Sequence, residues 1–94
     1  MQIASRYLKD AKVFTLKGLF DDHAKSEFDL AITCAEEIRC YHIILNLAKV
    51  SKIDSAGLGR IILCMQKLRN QGIRLTLLNP APHVRRLLKP KNGS

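Results

Sequence analysis

The stretch from residue 42 to residue 72 constrains this chain most, because its hydrophobic period changes halfway along. His42-Ile43-Ile44-Leu45-Asn46-Leu47 is an apolar run that scarcely alternates, as in a strand buried on both faces. Past Asp54-Ser55-Ala56-Gly57-Leu58-Gly59 the pattern turns helical. Leu58, Ile61, Ile62, Met65 and Leu68 follow the i, i+3, i+4, i+7, i+10 template, and Gly72 is a good stop. Leu63 falls off that stripe, an apolar contact point on the outward side. Ile73-Arg74-Leu75-Thr76-Leu77-Leu78 then alternates as a strand, with Ile73, Leu75 and Leu77 on one face. Strand, helix, strand in this order predicts a parallel pair joined by a helical crossover.

The flanking segments extend the same architecture. Residues 2–8 hold a weak strand pattern, and Lys9-Asp10-Ala11-Lys12 is a polar break. Val13-Phe14-Thr15-Leu16-Lys17 is a better strand, ended by Gly18, and the short connection suggests a hairpin. From Asp22 to about Ile38 the spacing of Ala24, Phe28, Ala31, Ala35 and Ile38 predicts a helix, with Asp21 or Asp22 as its N-cap. Asn79-Pro80-Ala81-Pro82 reads as a turn. Pro82 suits the start of a short helix through Val84, Leu87 and Leu88, which Pro90 ends. The expected fold is α/β: a mixed sheet in the order β-β-α-β-α-β-α, parallel in its later strands, with helices packed on it. Ninety-four residues make one domain, 1–94, with residues 89–94 as a basic, flexible tail.

Composition removes several classes of function. No segment approaches the ~20 continuous apolar residues of a membrane span, and the N-terminus has no apolar stretch like a secretory signal, so no membrane insertion and a cytoplasmic location are expected. Cys34, Cys40 and Cys64 are odd in number and lack a C-x-x-C pair. His23, His42 and His83 are scattered, so neither a disulfide framework nor a metal site is expected. Cys34 and Cys64 fall within helical patterns and read as small packing residues. No cofactor is called for.

Charge is uneven along the chain. Residues 1–54 balance eight Lys/Arg against eight Asp/Glu, so the whole net charge of +8 lies in residues 55–94, on Arg60, Lys67, Arg69, Arg74, Arg85, Arg86, Lys89 and Lys91. Such asymmetry suits nucleic acid, an anionic surface or an acidic partner, and equally a solvated helix face with a basic tail. No aromatic residue is interleaved with the cluster to stack bases, so nucleic acid is not the expected partner.

The Asp54-Ser55-Ala56-Gly57 junction carries the chemistry, since open α/β sheets place functional groups where strands end and helices begin. One reading is structural: Ser55 caps the helix, while Gly57 and Gly59 allow close packing. The other is that Ser55 accepts a phosphoryl group, which would face unpaired helix amides. Asp54 opposes it, by about 3 kcal/mol per pair of unit charges at ~6 Å and an effective dielectric of ~20, before screening.

Here the sequence resembles a known family. Ile53-Asp54-Ser55-Ala56-Gly57-Leu58-Gly59, between a buried strand and an amphipathic helix, looks like the phosphorylation-site signature of STAS domains, Asp-Ser-Ser/Ala-Gly-Leu-Gly. Leu16-Lys17-Gly18-Leu19-Phe20-Asp21 is similar to the family's Gly-Glu-Leu-Asp segment, with Leu19 in place of its Glu. Leu77-Leu78-Asn79-Pro80 through Leu88 resembles its last helix entry. The resemblance spans residues 13–88. Family members usually continue into a further strand and helix, which the expected fold lacks.

The resemblance implies a non-catalytic module, an anti-sigma factor antagonist controlled by phosphorylation of Ser55. Its partners would be an anti-sigma factor that is also an ATP-binding serine kinase, and a serine phosphatase that resets the cycle. ATP would belong to the kinase. The implied partner-binding residues are Asp21, Asp54, Ser55, Ala56, Gly57, Leu58, Arg60 and Leu63. The alternative within the family is a STAS subunit of an ABC-type transporter, docked on its ATPase. A second copy could complete the sheet edge as a homodimer. An enzyme is the weakest option, because G-x-S-x-G is absent and no His stands in a recognisable hydrolase motif.

Overall fold

The computed structural model describes residues 1–37, 41–82 and 85. Four strands, β1 (Gln2–Leu8), β2 (Ala11–Phe20), β3 (His42–Ile53) and β4 (Arg74–Leu78), form one sheet in the order β1-β2-β3-β4. β1 is antiparallel to β2, whereas β2–β3 and β3–β4 are parallel. Two crossovers join the parallel strands. The first is a 3-10 turn (Asp22–Ala24) running into α1 (Lys25–Glu37), and the second is α2 (Ser55–Asn70). The expected mixed α/β order is observed through β4.

The hairpin closes as Leu8 pairs with Ala11 and Lys9 takes the left-handed conformation, φ 49°. Gly18 does not end β2. At φ 102° it sits among register shifts against β3, and the strand continues to Phe20. The glycine is a kink within the strand, the role it takes where a bulge needs positive φ.

β3 corrects a second expectation. It is not buried on both faces: Ile43, Leu45 and Leu47 are buried, while His42, Ile44 and Asn46 are only half-buried. Both helices cover one side of the sheet, so only alternate side chains enter the core. There Phe14, Leu16, Ile43, Leu45 and Leu47 meet Phe28, Ile32 and Ala35 of α1 and Ile61, Cys64 and Leu68 of α2. The rings of Phe20 and Phe28 lie 5.0 Å apart, closing the top of this layer.

The expected α1 stripe largely holds, with Ala24, Phe28 and Ala35 buried, whereas α2 is rotated relative to its own. α1 buries Phe28, Ile32 and Ala35, while Ala31 is only half-buried and Cys34 is exposed; Ile38 lies outside the described residues. Cys64 does pack in the core, and Cys40 lies outside the described residues. α2 turns inward Gly57, Ile61, Cys64 and Leu68, leaving Leu58 and Met65 half-buried and Ile62 exposed. The reason is Gly57, whose missing side chain cannot register in a count of apolar positions. It must nevertheless face the sheet: a Cβ there would lie 2.3 Å from the Phe20 carbonyl oxygen. Gly59 faces open space, so the close packing expected of both glycines belongs to Gly57 alone.

After β4 the chain turns at Asn79, φ 54°, and the Arg85 N–H donates to the Ala81 carbonyl at 2.9 Å, an i to i−4 bond. The expected helix through Val84, Leu87 and Leu88, and the tail at 89–94, lie outside the described residues. No helix among the described residues is long and apolar enough to cross a membrane.

Candidate functional site

Two strand ends define the site. β2 and β3 are parallel and finish level, Phe20 pairing with Ile53, so the residues that follow them share one sheet edge. The Asp54 N–H donates to the Phe20 carbonyl at 3.3 Å and ties the two exits together. Asp21 and the Asp54-Ser55 pair are thereby neighbours at that edge, as expected.

Each strand end hands over to its helix through an aspartate. Asp21 has extended backbone, and its carboxylate accepts from the His23 N–H at 3.0 Å, capping the 3-10 turn. Of the two expected caps, Asp21 is the one used; Asp22 instead pairs with Lys25 at 3.2 Å. Asp54 is likewise extended and accepts from the Gly57 N–H at 2.9 Å, while its carbonyl takes the first helical bond from Leu58. Asp54, not Ser55, caps α2. This overturns the structural explanation of the serine.

Ser55 is left as the first residue of α2, exposed, with no hydrogen bond to its side chain among the described residues. The first turn of α2 contains no acidic residue. With the Gly57 amide taken by the cap, the amides of Ser55 and Ala56 are the ones open to an added anion among the described residues. Among the described residues no histidine hydrogen-bonds the hydroxyl; His42 Nε2, for one, contacts Thr76 Oγ1 at 2.7 Å on the sheet. Among the described residues the arrangement is that of an exposed hydroxyl without the base that would make it an activated nucleophile. Among the described residues no group of three His, Cys, Asp or Glu side chains could hold a metal.

The other expected residues divide by face. Ala56 is exposed beside Ser55, Gly57 is buried under it, and Leu58 is half-buried on the flank. Arg60 and Leu63 lie a turn or more further on, along a groove between α1 and α2 of about 190 Å³ whose floor includes Phe28 and Ile32. Leu63 is 56% exposed there, the outward apolar point that its position suggested. Arg60 is not free: its guanidinium pairs with Asp29 of α1 at 3.4 Å.

Two participants went unnoticed in the sequence. Asp29 braces Arg60 across the helix pair, and the Phe20 carbonyl receives Asp54 while excluding any side chain at residue 57. Asp29 follows the buried Phe28 directly, so a helical wheel places it at a rim of the buried stripe without saying which rim faces α2. A backbone carbonyl leaves no trace in sequence.

Over residues 2–90 the sequence matches the STAS domain family. The chain is 33% identical over 90 residues to the anti-sigma F factor antagonist of Paenibacillus polymyxa, covering 94% of this chain and 76% of that protein. Among solved structures it is similar to the anti-sigma factor antagonist SpoIIAA in its unphosphorylated form, with a TM-score of 0.79 and 28% identity over 93% of this chain and 81% of that one. The Bacillus cell fate determinant SpoIIAA in its phosphorylated form gives a TM-score of 0.77 and 28% identity, over 92% and 79% of the two chains.

Proposed function

The chain belongs to the STAS domain family of non-catalytic regulatory binding modules, and we propose that it is an anti-sigma factor antagonist switched by phosphorylation of Ser55. In its unphosphorylated state it docks on an anti-sigma factor through the edge formed by Asp21, Asp54, Ser55, Ala56 and Gly57, and through the flank at Leu58, Arg60 and Leu63. That partner is an ATP-binding serine kinase, which modifies Ser55 and so ends the association; a serine phosphatase restores it. The relatives named as anti-sigma factor antagonists support the docking role.

The observation that carries the switch is that Asp54 performs the capping, which leaves the Ser55 hydroxyl exposed and uncommitted. A phosphoryl group there adds about −1.5 to −2 charges at the docking edge. The helix N-terminus favours that charge by roughly 0.3–1 kcal/mol, and the Asp54 carboxylate opposes it. The fold does not depend on the hydroxyl, so the new charge acts on the partner and not on the core. A coupling typical of such switches changes affinity about 5- to 150-fold.

Incubation with the kinase partner and ATP, followed by peptide mass spectrometry, tests the proposal. Wild type should gain one phosphoryl group on the peptide containing Ser55 and Ser55→Ala none, while Ser55→Glu should lose affinity for the partner. An authentic anti-sigma kinase that leaves Ser55 unmodified overturns it. Co-purification with a transporter ATPase, undisturbed by Ser55→Glu, would point instead to a transporter subunit.

A further inference from the structure

We propose that the groove between α1 and β1, remote from the phosphorylation edge, binds a small carboxylate-headed amphiphile with Lys12 as its counter-charge. Lys12 of β2 is only 8% exposed, although lysine is almost never buried without a partner. Its ammonium lies 5.0 Å from the centre of the Tyr7 ring and 5.3 Å from that of Phe14. Those ring faces offset part of its lost hydration. They accept no hydrogen bond of the ordinary kind, and among the described residues its three N–H donors meet no carboxylate or other oxygen.

The space beside it suits an apolar tail. Lys12 and Phe14 line a groove of about 360 Å³, within the range of small-molecule sites, together with Ile3 of β1 and Leu30 and Ala31 of α1. Leu30 is 66% exposed along this groove. The crossover runs α1 antiparallel to β2, which sets Cys34 toward the Lys12 end and Glu27 toward the other. These two residues are about 10 Å apart along the helix axis. The groove therefore has Lys12 at one end, a mainly apolar middle that includes the polar Ser5, and Glu27 at its far rim. A single negative head belongs at Lys12, with the tail directed toward Leu30 and the head kept from Glu27. The negative C-terminal end of α1 lies at the Lys12 end and opposes any anion there, a doubly charged phosphate more than a carboxylate.

Decanoate, with decanol as the uncharged control, is a suitable probe. Cys34 lines the groove and is exposed, so its alkylation, read by peptide mass spectrometry apart from Cys40 and Cys64, reports occupancy. Decanoate should slow that alkylation saturably. Decanol should bind roughly 10- to 100-fold more weakly, and Lys12→Met should cause a loss of similar size for decanoate. Because Lys12→Met alters a buried side chain, Leu30→Asp at the exposed wall is the second variant: it should keep the wild-type melting temperature and weaken both probes. No saturable protection of Cys34 up to about 5 mM decanoate overturns the proposal. So does equal binding of decanol, or an alkylation rate that falls with protein concentration, which would mark the groove as covered by a second copy.

Discussion

The two exits from the sheet, after β2 and after β3, are built alike and charged differently. Both begin with an extended aspartate that turns its carboxylate onto backbone amides, Asp21 onto His23 and Asp54 onto Gly57. At the first exit acids follow at once, with Asp22 in the 3-10 turn and Glu27 in the first turn of α1. At the second a hydroxyl follows, and the first turn of α2 holds no acid. The amide dipoles of the first exit are already answered by fixed carboxylates. Those of the second are answered once, by Asp54, and can receive a further anion. Under the proposed switch, the second exit is the one where an added phosphoryl group would meet no acid in the first turn of its helix.

Substitutions at the second exit test how much of that difference is structural. Gly57→Ala should have the largest effect, a loss of about 2–3 kcal/mol in chemical denaturation, because the new Cβ meets the Phe20 carbonyl that joins the two exits. A wild-type midpoint for that variant would mean that the exits are not held together as described. Next, Asp54→Ala should lose about 1 kcal/mol, as a removed cap does, and Asp21→Ala less, since it caps only a short 3-10 turn. An equal loss from both would erase the asymmetry. Gly59→Ala should gain about 1 kcal/mol, since it replaces the poorest ordinary helix former where there is room for a methyl group. The smallest change belongs to Ser55→Ala, within about 0.5 kcal/mol of wild type by thermal melting. A larger loss would mean that the hydroxyl supports the fold, and its availability for modification would have to be reconsidered.

The element order was legible because apolar period reports secondary structure directly: β3, α2 and β4 each fall where the pattern changes. The facing of the helices was less legible. Leu58, Ile61, Ile62, Met65 and Leu68 make a sound stripe on paper, yet α2 turns on the glycine one position earlier, and a residue without a side chain contributes nothing to a periodicity. Cys34 misled for the opposite reason, a small apolar side chain inside a helical pattern that the structure leaves in solvent. The candidate residues Asp54 to Leu58 were nominated through the junction motif. Their roles were not, because Asp54 and Ser55 are both good capping residues and only coordinates show which one holds the Gly57 amide. Gly18 shows the same limit, since a glycine that stops a strand and one that kinks it look identical in sequence.

The central position of β3 has a consequence for how the chain comes together. Ile43 pairs with Lys12 on one side and with Leu75 on the other, so each neighbour of the middle strand lies about 30 residues away along the chain. Only the β1–β2 hairpin can form from local contacts, and by itself such a hairpin is at best marginally stable in water. A chain growing from the ribosome therefore cannot cover Ile43, Leu45 and Leu47 completely until α2 has emerged, and it carries an unpaired β3 edge until β4 follows. Assembly should be slow for a chain of this size and cooperative. It should also be most vulnerable to self-association during the interval when β3 is available and β4 is not.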